Sequence, residues 1–130
     1  MKALTTLIAI SSFAYLGLCD LGTAAVYGPP YRPNKCYHWS EFDIPPNKMF
    51  AAAGMGIWDN GAGCGKWYEL RCVAPAGVGT KCTGQRITVK IIEWKTGNRA
   101  PVFSLSETAG AQFYTGRGHV KVEYHQVPPP

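Results

Sequence analysis

The sequence predicts an all-β domain, in the form of a small closed β barrel held by disulfides. Several short segments alternate between apolar and polar residues, which is typical of strands with one buried face. Only one short helix is indicated, and the connections are long, with 15 glycines and 10 prolines in 130 residues. Closing a sheet into a barrel removes the exposed strand edges of a small domain. The length leaves room for a single domain.

The first nineteen residues have the pattern of a secretory signal. Lys2 supplies the positive charge, and an uncharged apolar segment follows it as far as Leu18. That segment is too short for a membrane span, and no second one follows, so we expect a soluble, extracellular mature protein. Small residues allow cleavage after Cys19 or after Ala25. We predict a signal peptide at 1–19 and a domain at 20–130.

The charge of the mature chain is moderately positive. Removal of the signal leaves twelve Lys and Arg against eight Asp and Glu, which is a net charge of +4 (12 − 8). An acidic polysaccharide or a phospholipid headgroup would suit that charge, and an anionic microbial surface is a candidate partner. The basic residues are scattered along the chain, so we do not expect nucleic-acid binding.

Four cysteines follow the signal: Cys36, Cys64, Cys72 and Cys82. An even number in a small secreted chain indicates two disulfides, for which three pairings exist. Cys64 and Cys72 bracket an alternating, strand-like segment, so they lie roughly 26 Å apart and cannot bond to each other. Cys64 therefore pairs with Cys36 or Cys82. This makes Cys64 structural, neither a nucleophile nor a metal ligand, and no histidine has metal-site spacing with the cysteines.

The predicted elements are distributed along the whole domain. We expect strands at 21–27, 49–53, 66–72, 85–94 and 119–126. A helical turn is predicted at 56–60, and 73–84 is predicted to be a turn region. Ser104 and Glu107 have the spacing of a helix start, with Ser104 as the N-cap and the helix running to about residue 114. In the two clearest strands, Ile87, Val89, Ile91, Val120, Val122 and Tyr124 are predicted to face the core.

Several of these segments together resemble the plant natriuretic peptides. The blocks are GTAAVYGPPYRPNKCY, FAAAGMGIWDNGAGCGKWYELRC, CTGQRITVKIIEW, SLSETAGAQF and HVKVEYHQV. That family is expansin-like (EG45-like, RlpA-like) and includes effectors secreted by plant-associated microbes. The resemblance implies a six-stranded double-psi β barrel with the pairings Cys36–Cys64 and Cys72–Cys82. It also makes LGTAAVY the first barrel strand, which favours a mature start at Asp20.

The resemblance also identifies where catalytic acids would lie. Barrels of this kind that cleave glycans need two carboxylates facing a groove. By resemblance the first position is Glu93 and the second is Ser104, whose hydroxyl cannot act as a general acid near neutral pH. Asp59, in IWDNG, is the other candidate. Relatives carry a cysteine where this chain has Lys95. We therefore predict no enzymatic activity, with a glycan hydrolase or lytic transglycosylase as the least favoured alternative.

A chain without enzymatic activity can still bind a partner. The long loop at 28–47 contains aromatic and basic residues that could contact one. Tyr31, Tyr37 and Trp39 are candidates for exposed aromatic contacts, with Arg32 beside them for an anionic partner. Asp59 and Glu93 complete the predicted binding set, and no cofactor or metal is expected.

The favoured interpretation is a monomeric, non-enzymatic signal or effector of the apoplast. The resemblance implies that it acts on host water and ion balance, through a plant cell-surface receptor, or as an antimicrobial protein. The alternative is an expansin-like module that binds cell-wall polysaccharide.

Overall fold

Six strands form a closed barrel in the computed structural model, which describes residues 19–97 and 99–130. The predicted signal at 1–19 lies outside the described residues, except for its last residue, Cys19. The strands follow one another around the barrel in the order β1-β6-β2-β5-β3-β8. The elements are β1 (Asp20–Val26), β2 (Phe50–Ala53), α1 (Met55–Trp58), β3 (Trp67–Pro75), β4 (Lys81–Cys82), β5 (Ile87–Trp94), β6 (Phe103–Leu105), α2 (Glu107–Phe113), β7 (Tyr114–Thr115) and β8 (Val120–Val127). The predicted all-β barrel is confirmed.

The barrel mixes parallel and antiparallel pairing. β1 pairs with β6 and β2 with β5 in parallel, whereas the four other neighbouring pairs are antiparallel. Parallel strands cannot be joined by a tight hairpin, so each parallel pair needs a long crossover connection. The loop at 28–47 and the helical segment at 55–66 are parts of these crossovers. The fold therefore requires long connections on the barrel surface, where they can form a site.

The barrel interior is filled by the alternating apolar residues. The prediction for β5 and β8 is confirmed, except that Tyr124 is only partly buried and packs at the edge of the core. The interior cluster includes Ala24, Ala51, Ala53, Tyr68, Leu70, Ile87, Val89, Ile91, Phe103, Leu105, Val120 and Val122. Small residues on β1 and β2 leave room for the phenylalanine and tyrosine rings of the other strands.

The predicted start of the helix was wrong. Ser104 lies in β6, where it pairs with Ala25 on one side and Ala52 on the other. Strand pairing on both sides outweighs the local capping pattern, because each pair adds backbone hydrogen bonds. The N-cap is Ser106, whose Oγ accepts a hydrogen bond from the Ala109 amide at 3.1 Å and donates one to the Lys48 carbonyl at 2.6 Å.

The segment after Cys72 is also more regular than predicted. β3 continues to Pro75 because its antiparallel pairing with β8 resumes after a bulge between Cys72 and Ala74. The short strand β4 then pairs with β7. The prediction of a turn region at 73–84 therefore holds for 76–80 and for 83–84, outside the two strands.

The disulfides are Cys36–Cys64 and Cys72–Cys82, as the resemblance implied. The first fastens the long loop to the segment that follows α1, and the second fastens β3 to β4. Within the part of the chain that the structure describes, no helix is long and apolar enough to cross a membrane.

Candidate functional site

A row of four residues crosses the outside of the barrel over β5, β2, β6 and β1. Ala52 pairs with Glu93 on one side and with Ser104 on the other, and Ser104 pairs with Ala25. Directly paired residues point to the same side of a sheet. The neighbours of Ala52 on β2 are in the core, so Ala52 and its partners face outward. We call Glu93, Ala52, Ser104 and Ala25 the outer row.

Glu93 joins this row because of a bulge in β5. Ala51 pairs with Ile91 and Ala52 pairs with Glu93, so Ile92 is the extra residue. Strict alternation would put Ile91 and Glu93 on the same side, in the core. A bulge of one residue reverses the alternation and turns the Glu93 side chain outward. The sequence pattern alone does not reveal this bulge.

The Glu93 carboxylate serves as an anchor for the long loop. Its Oε1 accepts a hydrogen bond from the Lys35 amide at 2.9 Å and another from the Trp94 amide at 3.0 Å. The next loop residue, Cys36, donates its amide to the Ile92 carbonyl at 3.2 Å and forms the disulfide with Cys64. These contacts explain the carboxylate at this position without any catalytic role.

Ser104 and Ala52, in the middle of the outer row, are covered. Ser104 is 5% exposed and Ala52 is 0% exposed. A glycan therefore has little access to the position that the resemblance assigns to a second acid.

Tyr27 follows β1 and lies close to Glu93. Its ring makes an edge contact with Tyr31, at 5.0 Å between centroids, and Lys95 Nζ lies 5.1 Å from the ring centroid. Burial, followed by the nearby charge of Glu93, raises the pKa of the Tyr27 phenol far above its ordinary value. The hydroxyl is buried and makes no hydrogen bond in the described part of the chain.

Asp59 lies at the end of α1. This helix follows β2 and contacts it, at the end of the barrel where Ala53 pairs with Trp94. The preceding residue, Trp58, stacks on Trp94 with centroids 5.3 Å apart and rings 2° from parallel. Asp59 has a left-handed backbone, with φ of 47°, and its carbonyl accepts the Ala62 amide at 3.0 Å. The side chain is exposed. Asp59 is therefore next in the chain to the tryptophan that stacks on Trp94 at the end of β5.

The predicted loop residues differ in exposure. Trp39 is 68% exposed, whereas Tyr31 and Tyr37 are half-buried. Tyr31 packs its ring on Phe50 at 4.8 Å, and its hydroxyl bridges the Tyr27 carbonyl and the Glu107 amide, each at 3.0 Å. Tyr37 lies under Lys90 Nζ, 4.7 Å from the ring centroid.

Arg32 holds the tip of the loop together. Its Nη1 donates to the Trp39 carbonyl at 3.0 Å, and its Nη2 lies 2.8 Å from Glu41 Oε1. The fully exposed Phe42 follows. Phe42 is not among the predicted binding residues, although its position three residues after Trp39 in a polar, proline-rich loop was a signal. Trp39 and Phe42 therefore expose two aromatic rings on one loop, in which Arg32 bonds the Trp39 carbonyl and the Glu41 carboxylate next to Phe42.

A cavity of about 360 Å³ lies between the loop and the start of β2. Its lining includes Tyr31, Arg32, Glu41, Lys48 and Phe50. Two of the predicted binding residues therefore share one cavity, which has aromatic walls and charged groups at its rim. The other four predicted residues, Tyr37, Trp39, Asp59 and Glu93, are outside its lining.

Residues 19–97 and 99–130 contain no group of three or more His, Cys, Asp or Glu placed to hold a metal ion.

Comparison with known proteins places this barrel in a family, although no family profile matches the chain. An EG45-like domain containing protein of Citrus jambhiri is 34% identical over 121 residues, covering 91% of this chain and 87% of the relative. A putative EG45-like domain containing protein 1 of Arabidopsis thaliana is 33% identical over 122 residues, covering 92% and 91%. Expansin-B4 of the same plant is 34% identical over 105 residues, covering 70% of this chain and 39% of the expansin.

Solved structures of an expansin from Clavibacter michiganensis share the fold. The unliganded crystal structure aligns with a TM-score of 0.62 at 19% identity, over 87% of this chain and 52% of the expansin. A mutant of that expansin in complex with cellohexaose aligns with a TM-score of 0.61 at 20% identity. The chain spans about half the length of that expansin, and the likeness supports the double-psi barrel. By its identity to the plant relatives over nearly its whole length, this chain belongs to the EG45-like family of expansin-like proteins.

Proposed function

We propose that this chain is a secreted, non-enzymatic signal or effector that acts in the apoplast by binding a partner. The observation that carries the proposal is the buried Ser104 at the position of the second acid. Cleavage of a glycosidic bond by this type of site needs two carboxyl groups facing the substrate. Here one position has no carboxyl group, and the carboxylate at the other accepts two backbone hydrogen bonds.

Secretion is supported by the chemistry of the chain. Two disulfides require an oxidising compartment, and the predicted signal at 1–19 precedes them. β1 begins at Asp20, so cleavage after Ala25 would remove most of a barrel strand. We therefore propose cleavage after Cys19, which also removes the one free thiol among the described residues.

The proposed partner is a receptor on the plant cell surface. Trp39 and Phe42 expose two large rings on this loop, and Arg32 holds the Trp39 carbonyl; such aromatic anchors dominate many protein interfaces. The exposed Lys35 lies on the same loop. Binding there would modulate host water and ion balance, as the family resemblance implies.

Binding of a wall polysaccharide is the second candidate function. It is favoured by the 360 Å³ cavity, in which Tyr31 and Phe50 provide ring faces beside Arg32. The crystal structure of a related expansin with cellohexaose is consistent with this candidate. A protein that binds a receptor is retained by wall-free protoplasts, whereas a protein that binds the wall is retained by isolated polysaccharides.

A cleavage assay tests the absence of enzymatic activity. The oxidised protein, secreted from a eukaryotic host, is incubated with cellulose, xyloglucan, pectin and peptidoglycan, and the soluble products are analysed by mass spectrometry. We expect no products. Because the proposed effect on host water and ion balance does not depend on cleavage, we also expect wild type and Glu93→Gln to cause the same swelling of protoplasts. Products that disappear in Glu93→Gln or Asp59→Asn would show that the protein is an enzyme.

A binding assay separates the two partners. Saturable binding to wall-free protoplasts supports a receptor, and retention on cellulose, chitin or pectin supports the wall function. We expect Trp39→Ala to weaken protoplast binding by about tenfold, the effect of removing a central aromatic anchor. Val78→Ala is the matched control, since Val78 is a fully exposed apolar residue in another loop. Equal losses in both variants would rule out a specific surface at Trp39.

A further inference from the structure

A second cavity, of about 510 Å³, lies where β1 ends against α2. It is bounded by α2 and by the turn between β7 and β8. Val26 and Ala111 contribute apolar surface, and the charged or titratable lining residues are Glu107, Arg117 and His119. Its volume is within the usual range for small-molecule sites. None of the predicted site residues is in its lining.

The cavity is continuous with the outer row. β1 and β8 are antiparallel, with Ala24 opposite Val120. Ala25, which follows Ala24 and ends the outer row, and His119, which precedes Val120, both line the cavity. The middle of the row is covered, and this cavity lies at its Ala25 end.

The turn that carries the basic residues has a constrained backbone. The Tyr114 hydroxyl donates to the Gly118 carbonyl at 2.8 Å. Gly116 has φ of +90° and packs against the backbone of Gly79, which leaves no space for a side chain. Arg117 projects from this turn, between two glycines. Binding of a ligand to the Arg117 guanidinium therefore requires little further ordering of the turn backbone.

The basic side chains of the cavity are available to a ligand. Neither the Arg117 guanidinium nor the His119 ring has a hydrogen bond or ion pair within the described residues. The acidic residue, Glu107, lies towards the other side, with Oε2 3.7 Å from the point where a β-carbon on Gly28 would be. The cavity therefore offers a cation, an imidazole and a carboxylate around an apolar surface.

We propose that this cavity binds a carboxylated sugar of an acidic wall oligosaccharide, such as a galacturonate unit. A guanidinium matches a carboxylate with two parallel hydrogen bonds. His119 and Glu107 can each bond a ring hydroxyl, and Val26 can contact the C–H face of the ring. A neutral glucan would leave Arg117 without a counter-charge. The inference deepens the proposed function, because it rests on an extracellular protein that meets the plant wall.

Calorimetry with the oxidised, secreted protein tests the proposal. The probes are an oligogalacturonate, its methyl ester, a cello-oligosaccharide and inorganic phosphate. We expect the oligogalacturonate to bind most tightly, and we expect its affinity to fall when salt is added. Arg117→Gln should weaken it by about tenfold or more, as expected for loss of a charged hydrogen bond. The control is Lys66→Gln, because Lys66 is the charged residue in the described lining of a cavity of similar size, about 480 Å³.

The proposal is overturned if Arg117→Gln binds oligogalacturonate as wild type does, or if Lys66→Gln loses as much affinity. Equal binding of the methyl ester or of phosphate would overturn the assignment of a carboxylated sugar. If Arg117→Gln does not fold, amide chemical shifts of the wild type decide. Oligogalacturonate must then shift the amides of residues 116–119, and shifts confined to other regions contradict the proposal.

The same incubations, analysed for cleavage products, keep the two proposals distinct. Products refute the non-enzymatic function whatever the affinities are. Absence of oligogalacturonate binding refutes only this inference and leaves the receptor assay unaffected.

Discussion

Replacing Ser104 by aspartate restores the residue type that the resemblance expects at the second acid position, and we predict that it destabilises the barrel without creating an enzyme. Ser104 is 5% exposed, and its strand partner Ala52 is 0% exposed. A carboxylate there would lose most of its hydration, and burial penalises the charged form. The new acid would therefore be protonated in the folded protein at pH values where it is ionised in the unfolded chain.

The magnitude follows from the position in the barrel. Burial of this degree raises a carboxyl pKa by about two units. Glu93 lies two strands away, or about 10 Å, and at an effective dielectric of about 20 its charge adds about one unit more. A rise of about three units above the unfolded value corresponds to about 4 kcal/mol. The pKa of the new carboxyl is higher in the folded protein than in the unfolded chain. The variant therefore keeps this contribution to its free energy of unfolding near pH 4 and loses it as the pH rises towards 7.

Urea unfolding at several pH values measures this effect. Ser104→Asn is the matched control, because it has nearly the same shape and no charge, so the cost of the larger side chain is common to both variants. We expect the two variants to have similar stability at pH 4, with the aspartate variant about 4 kcal/mol less stable at pH 7. A difference that does not change with pH would refute the reasoning, and glycan cleavage by Ser104→Asp would show that the outer row is accessible.

Two further predictions concern the disulfides and Tyr27. Replacing Cys36 and Cys64 by alanine should lower the free energy of unfolding by about 3.6 kcal/mol, because that disulfide closes a loop of 28 residues. Replacing Cys72 and Cys82 by alanine should lower it by about 2.7 kcal/mol, because that loop spans 10 residues. Urea unfolding measures both losses, and the reverse order would contradict the loop-entropy argument. Tyr27→Phe should leave stability unchanged or raise it by up to about 1 kcal/mol, since it removes a buried hydroxyl without a partner among the described residues. The raised pKa of Tyr27 also predicts stability that is lost above about pH 10, and this loss should be smaller in Tyr27→Phe, as alkaline unfolding curves would show.

The sequence by itself determined the barrel class and most of its strands. Alternating apolar residues in the segments at 85–94 and 119–126 define one buried face, and that pattern does not depend on the rest of the fold. The even number of cysteines, with the strand between Cys64 and Cys72, excluded one pairing by distance alone. The resemblance supplied the remaining pairing and the two acid positions.

Tertiary structure decided the features that depend on partners distant in the chain. Ser104 has a local pattern for a helix start, but pairing with Ala25 and Ala52, 79 and 52 residues earlier, makes it a strand residue. The bulge at Ile92 turns Glu93 outward, and the Lys35 amide, 58 residues earlier, occupies its carboxylate. The cavity beside Arg117 exists only because β1, α2 and the β7–β8 turn meet there. Short-range patterns fix which side of a strand is apolar, whereas barrel closure fixes which polar side chains meet on its outside.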